Sequence, residues 1–179
     1  MAFRVFLTGS PGVGKSTVVR QVAEELRQIG VKAGGMTTGD IRSRSERVGF
    51  EIRNLLTGEV GVLAHVNQST GPRIGRYHVN SEDLDHIGTA AVLSAVSTAR
   101  LVVIDEVGPM ELTSIRFKDA VRAAVASRKP ILGTVHRNAQ DPLVREIKSD
   151  RKTEITEVTY GNRDTLAKVL VERFRVAPG

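Results

Sequence analysis

The chain has 179 residues, 40% of them hydrophobic and 26% charged, with 26 basic and 20 acidic side chains, 17 Gly and no Cys. That length suits one domain that buries its core without staples, and the apolar fraction excludes a disordered chain. The lack of Cys excludes disulfides, thiolate metal sites and thiol nucleophiles, and no stretch approaches the ~18–20 uninterrupted apolar residues of a membrane span.

The opening run from Met1 to Leu7 is too short for a signal peptide, so the expected location is cytoplasmic. Phe3 to Thr8 reads as a buried strand. It leads into Gly9-Ser10-Pro11-Gly12-Val13-Gly14-Lys15-Ser16, which fits G-x-x-x-x-G-K-[ST] in the strand-to-helix context that this phosphate-binding loop requires. Glycine permits the dihedrals that turn successive N–H groups onto a phosphate, and the new helix adds free amides and its positive dipole end. Lys15 is expected to reach the β- and γ-phosphates, Ser16 to hold Mg²⁺, and Thr17 to support the same turn. Lys15 to Ile29 reads as a helix closed by Gly30, and Val31 to Thr38 as a second strand.

Residues 40–80 break the strand–helix alternation. Val48 to Leu55 alternates with period two, Thr57-Gly58-Glu59 supplies a turn, and Val60 to Val66 returns, so a β-hairpin appended to the core is predicted. A Gly/Pro/Arg segment, Gly71 to Arg76, follows, then a short strand from Tyr77 to Val79. Ser81 is expected to cap a helix running to about Ser97. Leu101 to Asp105 is an apolar strand, Ser114 to Arg128 a helix, and Pro130 to His136 a strand. Asp141-Pro142 opens a short helix, Glu154 to Thr159 is the last strand, and Asn162 caps a final helix to about Phe174, before a frayed Pro178-Gly179 end. The whole chain, 1–179, reads as a single P-loop domain in which 40–80 form the inserted hairpin and Arg/Gly loop.

An apolar run as dense as Leu101 to Ile104 is a strand buried on both faces, and ligands of open α/β sheets lie at strand carboxyl ends. Asp105 there suits the acidic ligand of Mg²⁺, and Glu106 suits a base that accepts a proton from an attacking water. The separation of Lys15 and Asp105 leaves room for a further strand between theirs, and Ile131 to Val135 is its candidate, ending near Thr134 and His136. Arg73, in its Gly-flanked loop, is the first choice for an arginine closing on the γ-phosphate, with Arg76 and Arg137 behind it. Arg42, Arg44 and Arg47 read as a solvated basic loop. Arg163 can stack on a base without reading its edge, which suits broad base tolerance. Glu111 and Met110 follow the acidic pair, with a supporting or a packing role. The four His are scattered and show no metal-ligand spacing.

The motifs at 9–16, 71–77 (Gly-Pro-Arg-Ile-Gly-Arg-Tyr) and 105–112 (Asp-Glu-Val-Gly-Pro-Met-Glu-Leu), with Gly133 to His136 and Asn162-Arg163-Asp164, occur in order along nearly the whole chain. In these the sequence resembles the small nucleoside-triphosphatases of thermophilic microbes, whose animal members are called cancer-related nucleoside-triphosphatases. The resemblance implies a RecA-like P-loop α/β fold, a mostly parallel sheet with helices on both faces. It also implies slow Mg²⁺-dependent hydrolysis of ATP, GTP, CTP and UTP or TTP to diphosphate and phosphate. Two alternatives stay open: a kinase acting on a small molecule or RNA, and a non-catalytic nucleotide-binding adaptor. A monomer or weak oligomer is expected. The net charge of +6 comes with 19 Arg against 7 Lys and only 4% aromatic residues. Scattered basic residues without an aromatic platform make nucleic acid a minor alternative to a small polyanion.

Overall fold

The computed structural model describes residues 3–177; the frayed end expected at Pro178-Gly179 lies outside them. In chain order the elements begin with β1 (Arg4–Thr8), α1 (Lys15–Gln28), β2 (Ala33–Ser43), β3 (Glu46–Asn54), β4 (Val60–His65), β5 (Arg73–Ile74) and β6 (Tyr77–Val79). A continuous helical stretch follows as α2 (Ser81–Asp83), a π-helical segment (Leu84–Thr89) and α3 (Ala90–Thr98). Then come β7 (Leu101–Val107), a 3₁₀ turn (Glu111–Thr113), α4 (Ile115–Ala126), β8 (Ile131–Val135), α5 (Pro142–Ser149), β9 (Thr153–Glu157) and α6 (Arg163–Val176).

All nine strands share one sheet, in the order β5-β6-β4-β3-β2-β7-β8-β1-β9. The five from β2 to β9 in that order run parallel, and the other four extend the sheet antiparallel beyond β2. This is the P-loop α/β fold expected, and β8 stands between the P-loop strand and the acidic strand. Period-two alternation divides the strand side chains between two cores. Val5, Leu7, Val103 and Leu132 face α1 and α6; Phe6, Val102, Ile104 and Ile131 face α3, α4 and α5. Each helix brings an apolar stripe: Val18, Val22 and Leu26 on α1, Phe117 and Val121 on α4, Leu170 and Phe174 on α6.

Three local expectations need correction. The second strand runs on to Ser43, because Gly39 to Ser43 satisfy their backbone against β3, and the chain reverses at Arg44, whose φ is 56°. Asn80, not Ser81, caps the helix after β6; its side chain accepts from Asp83 N. Asn162 stands at the start of α6, but its side chain accepts from Thr159 N and donates to the Glu157 carbonyl, so it holds the preceding loop. The hairpin of β3 and β4 forms as read, closed by Gly58 N donating to the Asn54 carbonyl.

The parallel core depends on Gly35 of β2. Its φ is +115°, and a Cβ built there would lie 2.0 Å from the Val103 carbonyl oxygen. Gly35→Ala is therefore expected to destabilise the chain by about 2–3 kcal/mol or more, the scale of overpacking plus backbone strain. A denaturant midpoint unchanged from the parent chain, with the same m-value, would contradict this.

Candidate active site

The P-loop joins the end of β1 to α1 at the carboxyl edge of the sheet. Gly9, Gly12 and Gly14 all have positive φ, and a Cβ on Gly9 would meet the Val158 carbonyl at 2.7 Å. The loop thus curls tightly, with Val13 N donating to the Ser10 carbonyl. Gly14 starts α1 without any side-chain cap, so the first-turn amides stay open to an anion. Lys15 Nζ donates to the Gly9 and Ser10 carbonyls at 3.0 and 3.2 Å, which places its charge at the mouth of the loop.

Opposite it, β7 carries Asp105, wholly buried. Its Oδ1 accepts from Ser16 Oγ at 3.0 Å and from Thr134 Oγ1 at 2.7 Å, while its Oδ2 is buried with no partner. Burial pushes this carboxyl up, against the two hydroxyl bonds and the charges of Arg20 and Lys15. Glu106, the next residue, lines the cleft; burial and then the Asp105 charge raise it, and Lys15 opposes them. Glu111, on the 3₁₀ turn, is nearly buried and lies well above the ordinary glutamate range, through burial first and the Glu106 charge second. His136, at the end of β8, is held below its usual value by burial and by Lys15 and Lys148. Its Nδ1 accepts from Asn138 N, so the neutral ring carries its proton on Nε2.

Lys15, Ser16, Glu106, Glu111 and His136 line one cleft of about 800 Å³, and Asp105 is buried just behind Ser16. The structure brings the residues from Gly9 to Ser16, with Thr17, Asp105 and Glu106, together at the P-loop end of the cleft. Arg163 stands at the back of the loop: its Nη1 is 3.4 Å from the Val13 carbonyl and its guanidinium 5.3 Å from the exposed Tyr160 ring. Arg73 is not brought to the cleft. It lies on β5, where its Nε donates to the Gly75 carbonyl at 2.9 Å. Arg137 also stands beside the loop, near Ser10 Oγ and paired with Glu157. The sequence reading passed over Arg20, Thr38 and Asp40, which also line the cleft. The last two stand toward the carboxyl end of β2, where the rule for open α/β sheets points. The strand end predicted at Thr38 left Asp40 outside it.

Residues 4–171 match the protein family described as NTPase. The chain is 48% identical over 172 residues to the nucleoside-triphosphatase THEP1 of Methanosarcina acetivorans, covering 96% of each chain. It is 48% identical over 176 residues to that of Thermofilum pendens, covering 97% of each. Its fold is similar to the crystal structure of THEP1 from Aquifex aeolicus, with a TM-score of 0.87 and 28% identity over 96% of this chain and 99% of that one. It is also similar to the solution structure of a human cancer-related nucleoside triphosphatase, with a TM-score of 0.83 and 33% identity over 99% of this chain and all of the other.

The raised Glu111 carboxyl has a stability consequence whose sign is definite. The folded chain holds this proton more tightly than the unfolded chain, so folding loses stability as pH rises above the unfolded value of about 4.3. Glu111→Gln removes that cost. The variant's gain in melting temperature is expected to be near zero at pH 4 and to grow toward pH 8; a gain that does not change with pH would contradict the assignment.

Proposed function

The chain belongs to the NTPase family and is a nucleoside-triphosphatase, and from that premise we propose that it removes the γ-phosphate of ATP, GTP, CTP and UTP or TTP with Mg²⁺. The observation that carries the reading is Asp105: a buried carboxylate tied to the P-loop serine, with one oxygen left unpartnered. A hydrogen-bonded pair of oxygen donors with a free carboxylate oxygen beside them fits a hard divalent cation. Ser16 and Asp105 would hold it, and when bound it supplies positive charge for the β- and γ-phosphate oxygens.

The remaining steps belong to the side chains. The P-loop amides and Lys15 bind the β- and γ-phosphates and offset the charge that gathers as the terminal bond breaks. Water attacks the γ-phosphorus, the bond to the β–γ bridging oxygen breaks, and Glu106 accepts the proton. Its raised affinity for protons, with Lys15 near enough to oppose full neutralisation, suits a base that works at neutral pH. Arg137 is the arginine at hand for the γ-phosphate; Arg73 would need the β5–β6 turn to move. Arg163 and Tyr160 offer flat surfaces to a base and no edge-reading pattern, which supports loose base selectivity. A cytoplasmic place, in keeping with the absence of Cys, and a monomeric or weakly oligomeric state complete the reading.

Glu106→Gln is expected to bind ATP and Mg²⁺ as the parent does while losing roughly 10²–10⁴-fold in turnover, the scale of a general base. Phosphate release at the parent rate would remove Glu106 from that role. Lys15→Ala should weaken both nucleotide binding and turnover, measured by calorimetry and phosphate release. Chelation of Mg²⁺ by EDTA should stop release from every nucleoside triphosphate; release that continues in EDTA would exclude the metal.

A further inference from the structure

The cleft runs on well past the phosphate end. Arg163 and Tyr160, the surfaces proposed for the base, do not line it, so the part of the cleft away from the P-loop is not needed for the base. Beyond Glu106 it continues past Met110 to the far half of β2 and into the antiparallel strands. This distal lobe has an apolar wall of Phe50, Ile74, Pro109 and Met110, and Tyr77 braces Phe50 edge-on with ring centroids 5.1 Å apart. Arg42 and Arg47 stand on the wall's rim, both about half exposed. They share one carboxylate, Asp40, at 3.0 and 3.5 Å, so the rim keeps a net positive charge. The Arg47 guanidinium lies 4.9 Å over the Phe50 ring. Hydrolysis by water uses none of these groups. An apolar wall with a few convergent charged groups is how a small-molecule site is built.

The geometry points to a second substrate site. The lobe takes a small molecule with an apolar, preferably aromatic, body, an anionic group that meets Arg42 and Arg47, and a hydroxyl that faces Glu106. The chain is then a phosphotransferase to that alcohol as well as a hydrolase. The inference rests on the reading that the triphosphate lies in the P-loop with its γ-phosphate toward Lys15 and Glu106. Glu106 lines the same cleft as the P-loop and the lobe, and a base that takes a proton from water can take one from an alcohol. The alcohol oxygen bonds to the γ-phosphorus as the bond to the β–γ bridging oxygen breaks. The hydroxyl proton passes to the Glu106 carboxylate and then to solvent. A phosphate monoester and the nucleoside diphosphate leave. An acceptor seated on Phe50 and Met110 would displace water from the γ-phosphate, so transfer replaces hydrolysis.

The test incubates the full chain with γ-labelled ATP, Mg²⁺ and para-hydroxymethylbenzoate, an aromatic carboxylate with a primary alcohol. Benzyl alcohol serves as the neutral control. The expected result is a labelled phosphate ester of the carboxylate, and roughly tenfold less ester, or none, from benzyl alcohol, the worth of a charge-assisted contact. Arg47→Ala should cut ester formation by about tenfold or more while release of inorganic phosphate without acceptor stays at the parent rate. Arg42→Ala provides a second, independent removal of charge on an exposed side chain. Inorganic phosphate release with no ester overturns the acceptor site and leaves the hydrolase reading standing. Ester formed equally from both alcohols, or unaffected by both arginine variants, also overturns it. No phosphate released from the parent chain under any condition overturns both readings.

Discussion

One buried carboxylate sets the terms for the site. Asp105 sits wholly out of water at the end of β7, and a carboxylate so placed is costly unless it is bonded or faces a cation. Ser16 from the P-loop helix and Thr134 from β8 both donate to the same oxygen, leaving the other free. This single group therefore ties three elements together. It also explains the strand order. β8 must lie between β1 and β7 for its Thr134 to reach Asp105 while β1 delivers Ser16 from the far side. Moving any of the three strands would strand the carboxylate without partners and separate Lys15 from Glu106.

The parallel half of the molecule was largely legible in the sequence because its signals are local. The P-loop is a contiguous motif, and β7 is a continuous apolar run ending in two acids. The position of β8 between them followed from the space between Lys15 and Asp105, and the register bears it out. The antiparallel half was less legible. The second strand was expected to end at Thr38, yet Gly39 to Ser43 stay extended because β3 supplies their hydrogen bonds. That is a tertiary override of local propensity, and it moved Arg42 from a solvated loop to the wall of the cleft, beside Asp40. Arg73 shows the converse. A Gly-flanked arginine in a loop looks free to close on a phosphate, but a short pairing of β5 with β6 places it at the outer edge of the sheet.

The basic composition resolves in a similar way. Ten of the 19 arginines make ion pairs, most of them exposed and crossing between neighbouring elements, as Arg173 does with Glu154 and Arg122 with Glu146. Each exposed pair contributes little on its own, but together they absorb much of the charge that composition alone offered to a nucleic acid. Arg4 differs: it is buried on β1 and reaches Asp150 just before β9, so it fastens the edge strand beside the P-loop strand. Arg20 and Arg163 make no ion pair among the described residues. Both flank the P-loop, where unneutralised positive charge favours a polyanion over a surface role.

The sheet thus divides its labour along its length. Its parallel strands end at one edge and gather the free amides, Lys15, Asp105 and Glu106 proposed for the triphosphate. Its antiparallel strands bring no phosphate-binding motif of their own. They lengthen the same edge into a wall that is apolar at Phe50 and Ile74 and positive at Arg42 and Arg47. Delivery of water to a phosphate does not call for such a wall, because water needs no apolar surface to bind. Phe50 is stacked under Arg47 and braced by Tyr77 at that wall instead of being buried like Phe6 or Phe117. Apolar area kept at the lip of a charged cleft forgoes the stabilisation of burial. A second ligand that covers it would recover that stabilisation on binding.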